Sequence, residues 1–270
     1  MNNEKDKWTI ITGACGGLGK AFCLALAKKG CNLFITGTNE QRTNVWANEL
    51  AKKFPQIKVD YAVCNLSNED HRKRVFEILK EKNIILNRLI NNAGYIAEGG
   101  LLDFSDEQVL EIIKVNCEGT VDMTQKFIKA FGGGTEILSV SSLGAFYPMP
   151  YMSVYSATKR MIVNLMVALR EEVKEQKIKV STLCPGGIPT TEAMKQAIKS
   201  QGLGGKLSSA SPEYIAEYAL KKLSKNKAII IPKMFNRFLK VAGKPLSEVM
   251  IAKAIGNRWK KANSKRKLAD

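Results

Sequence analysis

The sequence predicts an α/β fold: a doubly wound parallel sheet of about seven strands with helices on both faces, followed by a basic helical C-terminal extension. Three observations predict it. Short apolar, β-branched runs alternate with amphipathic stretches over about 180 residues, the pattern of parallel strands joined by right-handed helical crossovers. A glycine-rich turn joins the first such run to the first amphipathic stretch. A composition of 45% hydrophobic and 25% charged residues over 270 positions is that of an ordinary globular protein with a core for one large domain.

Residues 8–12 are apolar and β-branched and read as a buried strand. The turn Thr12-Gly13-Ala14-Cys15-Gly16-Gly17-Leu18-Gly19 follows. A helix over 20–29 carries Ala21, Phe22, Leu24, Ala25 and Leu26 and stops at Gly30. Strand, glycine turn and helix are the setting that a dinucleotide-binding turn requires. Glycine lets the backbone approach a pyrophosphate, and the free N–H groups of the helix start face it. The spacing, Gly-x-x-x-Gly-x-Gly, departs from the Gly-x-Gly-x-x-Gly fingerprint. Residues 32–36 form a second strand, 40–54 a second helix, 57–63 a third strand, and 67–82 a third helix with Ser67 as its cap. A short fourth strand over 88–90 runs into Asn91-Asn92-Ala93-Gly94. One long helix is expected over 106–131, ended by Gly132-Gly133-Gly134, before a fifth strand at 136–140. A second long helix over 153–176 leads to strands at 178–183 and 228–231. The stretch 190–211, rich in Gly, Ser and Lys, reads as a mobile lid over a cleft. The expected organisation is one domain over 1–232 and an extension over 233–270.

Several classes of function are excluded. No apolar run reaches the roughly 18–20 residues that a membrane-spanning helix needs. The segment 1–7 has no apolar signal region, and six scattered cysteines without a Cys-x-x-Cys pair read as reduced, mostly buried thiols. These observations point to the cytoplasm and give no metal site. His71, in a charged run, reads as a solvated helix residue. The net charge is +17, and residues 233–270 hold eleven Lys and Arg against Glu248 and Asp270, a net of +9. Solubility and a surface helix explain that tail most simply; its charge could also attract acidic surfaces, nucleic acid or an anionic membrane.

Chemistry centres on Tyr155-Ser156-Ala157-Thr158-Lys159, which starts the second long helix. A Tyr and a Lys four residues apart share a helix face, and a nearby ammonium lowers a phenol's pKa toward a value useful for proton transfer. The chain carries Thr12-Gly13-x-x-x-Gly17-x-Gly19, Asn91-Asn92-Ala93-Gly94, Asn116, Ser142, Tyr155-x-x-x-Lys159 and Pro185-Gly186-x-Ile188-x-Thr190 in this order. In this it resembles the classical short-chain dehydrogenase/reductase family over residues 8 to about 231, which implies a Rossmann-like sheet. The resemblance implies a catalytic set of Asn116, Ser142, Tyr155 and Lys159. Tyr155 would exchange the proton, Lys159 would tune it and bind the nicotinamide ribose, Ser142 would hold the substrate oxygen, and Asn116 would support a water leading from Lys159 to solvent. Of Ser141 and Ser142, adjacent and facing opposite ways, only one can point into the site. Cofactor contacts are expected from Gly13, Cys15, Gly16, Gly17, Leu18, Gly19, Thr38, Asn39, Arg42, Asn65, Leu66, Asn92, Ala93, Gly94, Tyr155, Lys159, Pro185, Gly186, Ile188 and Thr190, with Asn91 beside the adenosine half.

Family members selective for NAD(H) carry an acidic residue at the end of the second strand. Gly37 stands there, and Thr38, Asn39 and Arg42 could donate to a 2′-phosphate, so NADP(H) is the preferred cofactor and NAD(H) the alternative. Asn65 replaces the usual Asp and can still accept from an adenine amino group. Residues 144–152 and the apolar members of the lid indicate an apolar ketone or secondary alcohol, a steroid or acyl chain. The family commonly pairs through its two long helices, so a homodimer or homotetramer is expected. The competing reading is a non-catalytic dinucleotide sensor or nucleic-acid-binding protein reusing the fold. It predicts a degraded catalytic set and basic motifs interleaved with aromatics; the sequence has neither, and no nucleic-acid partner is expected.

Overall fold

The computed structural model describes residues 8–243 and 245–267, with side chains to Lys260. The segment 1–7, on which the expected lack of a signal region rests, lies outside the described residues, as do Lys244 and residues 268–270 of the basic tail. Seven strands, β1 (Trp8–Ile11), β2 (Asn32–Gly37), β3 (Val59–Val63), β4 (Leu86–Asn91), β5 (Glu136–Val140), β6 (Lys179–Leu183) and β7 (Ile229–Ile230), form one sheet. Its order is β3-β2-β1-β4-β5-β6-β7, and every neighbouring pair is parallel. The helices are α1 (Gly17–Ala27), α2 (Glu40–Lys53), α3 (Glu69–Glu81), α4 (Asp106–Ile113), α5 (Gly119–Phe131), α6 (Ser153–Glu172), α7 (Glu192–Ser200), α8 (Gly202–Ser208), α9 (Pro212–Ser224), α10 (Met234–Ala242) and α11 (Glu248–Lys267).

The strands are apolar on both faces because both are covered. Along β1 and β2, Ile11, Leu33 and Ile35 pack on the buried side chains of α1, α2 and α9. Their alternates, Ile10 and Phe34, join Val75 of α3, Phe127 of α5 and Met166 of α6 on the other face. The strand order reverses between β1 and β4, so the chain leaves their C-terminal ends in opposite directions and opens a crevice there. That crevice holds the candidate site.

Two expectations, the cap of the third helix and the uniform long helix, change in detail, and two others are filled out. The third helix is capped by Asn68, whose side chain accepts from the His71 N–H, and not by Ser67. Both residue types cap well. The choice is made by Asn65, whose Oδ1 accepts from the Ser67 N–H and closes a turn one residue earlier. His71 is exposed, and its Nδ1 also accepts from the Asn65 N–H at 3.3 Å, so it helps to hold that turn. The long helix over 106–131 is not uniform: residues 114–118 wind as a π-turn between α4 and α5. The segment 190–211 is built mostly of the helices α7 and α8, with Thr191 as the cap of α7.

The π-turn is fixed from outside. Buried Arg72 donates to the Leu66 carbonyl at 2.5 Å, to Glu118 at 2.5 Å and to Asp122 at 2.7 Å, and Lys126 pairs with Asp122. A buried guanidinium is tolerated only when paired and hydrogen-bonded in this way. Leu66 also presses on Gly119, where a Cβ would stand 2.8 Å from the Leu66 Cβ. The loop after β3 and the start of α5 are thereby locked together.

Candidate active site

One half of the crevice is lined by backbone. Thr12 Oγ1 accepts from the N–H groups of Asn92 (3.0 Å) and Ala93 (3.1 Å), and Asn92 Nδ2 donates to the Thr12 and Gly13 carbonyls. These bonds join the loops after β1 and β4. Gly13 has φ +63°, and a Cβ there would stand 2.8 Å from the Ala93 Cα. At Gly17 a Cβ would stand 2.4 Å from Thr190 Cγ2, and at Gly19 one would stand 2.3 Å from the Gly13 carbonyl. The spacing Gly-x-x-x-Gly-x-Gly is therefore the one this turn can accept. Helix α1 starts at Gly17 with no side-chain cap and no acidic residue in its first turn, which suits an anion.

The far end of this half lies over β2. A Cβ on Gly37 would stand 2.4 Å from Thr43 Oγ1, so no carboxylate fits that position as the backbone stands. Asn39 spends its Oδ1 on the Arg42 N–H as the cap of α2, leaving its Nδ2 as the donor end. The exposed Arg42 guanidinium meets no carboxylate among the described residues. One lone pair of the Asn65 Oδ1 is taken by the Ser67 N–H, which leaves one for an outside donor.

All twenty residues expected to touch a cofactor line one cleft of about 1490 Å³, together with Ser142. The glycine cradle, the uncapped helix start and the unpaired Arg42 fit a dinucleotide. Asn91 does not line it. Its Nδ2 donates to Thr124 (2.9 Å) and Ser139 (3.1 Å), so it ties β4 to α5 and β5 from behind.

The cleft narrows at Ser142, Tyr155 and Lys159. Ser141 turns away and donates to the Lys159 carbonyl at 2.7 Å, while Ser142 Oγ accepts from the Gly144 N–H and lies near enough to the Tyr155 phenol to favour its ionised form. Tyr155 is 8% exposed; burial raises its pKa above the ordinary 10.0, and the nearby Ser142 hydroxyl offsets part of the rise. The expected lowering by Lys159 is not found in this arrangement. Lys159 Nζ lies 5.8 Å from the centre of the phenol ring and donates to the Val140 carbonyl at 3.0 Å. Burial lowers the Lys159 pKa from 10.5 to about 8.

Asn116 lies outside the cleft lining, buried in the π-turn. Its Nδ2 donates to the Tyr95 carbonyl (3.0 Å) and Thr158 Oγ1 (3.1 Å), and its Oδ1 accepts from the Tyr95 N–H (2.8 Å). A Cβ on Gly94 would stand 3.0 Å from Lys159 Nζ and 3.4 Å from Asn116 Oδ1, so the bare glycine keeps the corner between them open. A local widening of a helix at a functional residue is a recurrent use of π-turns.

The other half of the cleft is apolar. Leu143, Met149, Met152, Met194, Ala197 and Ile198 line it, as expected for the segments around 144–152 and 190–211. Ala145 and Phe146 instead pack in a small core beneath. Sequence reasoning missed the contribution of the C-terminal extension: Phe235 and Leu239 of α10 and Ile255, Arg258 and Trp259 of α11 also line the cleft. The Tyr147 hydroxyl donates to the Leu239 carbonyl, Trp259 packs on Tyr151 with ring centres 6.4 Å apart, and Arg258 donates to the Gln201 carbonyl at 3.0 Å. The lone Trp259 among basic residues was the one sequence signal of this contact.

Comparison with known proteins agrees with this geometry. A family profile described as short chain dehydrogenase matches residues 7–202. A 3-oxoacyl-[acyl-carrier-protein] reductase of Aquifex aeolicus is 31% identical over 226 residues, covering 80% of this chain and 89% of its own. A 7β-hydroxysteroid dehydrogenase structure superposes with TM-score 0.79 at 20% identity, covering 94% of this chain and 98% of that one. A short chain dehydrogenase of Burkholderia cenocepacia in complex with NADP superposes with TM-score 0.77 at 18% identity, covering 87% and 100%.

Proposed function

This chain belongs to the short-chain dehydrogenase/reductase family of oxidoreductases, and on that premise we propose that it moves a hydride between NADP(H) and a ketone or secondary alcohol on an apolar skeleton. The observation that carries the proposal is the position of Ser142 and Tyr155 where the backbone-lined half of one cleft meets its apolar half. The nicotinamide supplies the hydride, and the protein supplies position and a proton. Ser142 and the Tyr155 hydroxyl grip the carbonyl oxygen, and Tyr155 gives it the proton. Burial keeps the phenol protonated at neutral pH, the form that gives a proton to a carbonyl oxygen. Lys159 would leave the Val140 carbonyl to hold the ribose hydroxyls of a bound cofactor, and the open corner at Gly94 would let the proton be replaced from the side of Asn116.

NADP(H) is preferred over NAD(H) because Gly37 leaves no carboxylate to meet a 2′-phosphate and Arg42 is available to pair with one. The substrate is a long or bulky lipophilic ketone, an acyl thioester or a steroid, since methionines, aliphatics and Trp259 line its half of the cleft. The protein works in the cytoplasm as a homodimer or homotetramer. Pairing runs through α4, α5 and α6, where Leu110, Ile113, Met161 and Val167 stand exposed.

The test is a turnover screen of steroid ketones, 3-oxoacyl thioesters and small diketones with NADPH and NADH in parallel. NADPH-dependent reduction of a lipophilic ketone is expected, and equal or better turnover with NADH would overturn the cofactor assignment. Trp259→Ala is expected to raise the KM of that ketone about tenfold, one lost aromatic contact, and to leave the Kd for NADPH unchanged. An unchanged KM would remove α11 from the substrate half.

A further inference from the structure

Helix α10 has two apolar sides. Phe235 and Leu239 look into the cleft. Met234, Phe238 and Val241, spaced i, i+4 and i+7, form a second stripe that is 73%, 65% and 59% exposed. The neighbouring helix α8, held to α10 by the bond from Asn236 Nδ2 to the Ser208 carbonyl, exposes Leu203 and Leu207. Val249, near the start of α11, is also exposed. Folding alone does not call for five or six large apolar side chains exposed on adjoining helices, and a patch of this kind marks an interaction surface.

What covers it is indicated by charge. Lys206, Lys233 and Lys253 stand on or beside these helices without a carboxylate partner among the described residues. The extension that carries the patch has a net charge of +9. A second copy docked through the same face would set two such charges against each other. Nucleic acid would answer the charge but leaves Met234, Phe238 and Val241 without a use. A surface that is both negative and apolar beneath satisfies both features.

We propose that α8, α10 and the start of α11 form a docking face for an anionic lipid bilayer, with Met234, Phe238 and Val241 entering the acyl boundary and the lysines resting among the headgroups. In that pose one helix thickness, about 10 Å, separates the bilayer from the apolar half of the cleft. The docking itself stands apart from the reading of the catalytic site.

The experiment is co-sedimentation of the full chain with vesicles of phosphatidylcholine alone and of phosphatidylcholine mixed equally with phosphatidylglycerol. Binding to the mixed vesicles is expected to exceed binding to the neutral ones by roughly tenfold and to fall with added salt. The triple variant Met234→Ser, Phe238→Ser, Val241→Ser is expected to lose vesicle binding while keeping its melting temperature and its turnover of a soluble ketone. If that variant does not fold, Lys206→Glu, Lys233→Glu, Lys253→Glu takes its place and is expected to lose binding to the mixed vesicles. No binding to mixed vesicles, or variants that bind as the parent does, would overturn the proposal. A self-associating parent that the serine variant renders monomeric, without vesicle binding, would also overturn it and assign the face to a second copy.

Discussion

Tyr155→Phe is expected to lower ketone reduction by about 10²–10⁴-fold, the usual contribution of a positioned general acid, and to leave NADPH affinity close to that of the parent. The ring is buried, and Phe refills the same space, so packing is kept and only the hydroxyl is lost. Ser142, which lies beside the phenol, keeps its Gly144 N–H bond in the variant. A loss of turnover therefore reports the missing proton donor rather than a collapsed site. The parent's reduction rate is expected to stay flat through neutral pH and to fall only in alkali, since burial holds the phenol above its ordinary value. Fluorescence titration with NADPH and steady-state kinetics on one soluble ketone check both parts. Turnover in the variant equal to the parent's would remove Tyr155 from the mechanism.

The parts of this site that were legible in the sequence are those set by short-range geometry. Gly13, Gly17 and Gly19 announce themselves because any side chain there meets Ala93, Thr190 or the Gly13 carbonyl. Tyr155 and Lys159 are readable as a pair because one helical turn separates them. The π-turn at Asn116 was not readable, since no local sequence signal separates 114–118 from the helix on either side. What opens the turn lies elsewhere, in the Arg72 bonds to Leu66, Glu118 and Asp122. The tuning of Tyr155 was misread for a related reason. Helical spacing brings Lys159 to the same face, but the direction of its ammonium is decided by the Val140 carbonyl across the sheet. The roof of the apolar half was also hidden. Phe235, Leu239 and Trp259 reach the cleft because α10 and α11 fold back over residues 147–152, a long-range packing choice that a basic, amphipathic stretch does not display.

Lys159→Met is expected to abolish efficient turnover and yet to stabilise the cofactor-free protein at pH 7. The Lys159 side chain is 4% exposed and its pKa falls from 10.5 to about 8, with burial as the leading cause. A depression of that size corresponds to a cost on the order of 3 kcal/mol for keeping the charge buried. Below about pH 8 the folded and unfolded chains both hold the proton, and the folded chain bears that cost in full. Between about 8 and 10.5 the unfolded chain still binds the proton and the folded chain has released it, so folding becomes more favourable as the pH rises. Above 10.5 neither carries the charge and the cost is gone. Against this gain, Met leaves the Val140 carbonyl without its donor, a loss of about 1 kcal/mol. The variant should therefore be more stable by about 2 kcal/mol at pH 7, and the advantage should vanish and reverse slightly by pH 10.5. Buried Cys64 and Cys184, raised from 9.0 to about 11 and about 12, give the opposite slope above pH 9, because the unfolded thiols ionise first. Only the difference between parent and variant, measured by urea unfolding at each pH, isolates the lysine. A variant no more stable than the parent at pH 7 would show that the ammonium is not held at a cost. The cost is the expected condition of the role proposed for Lys159, in which a bound ribose would return the hydrogen bonds that burial takes away.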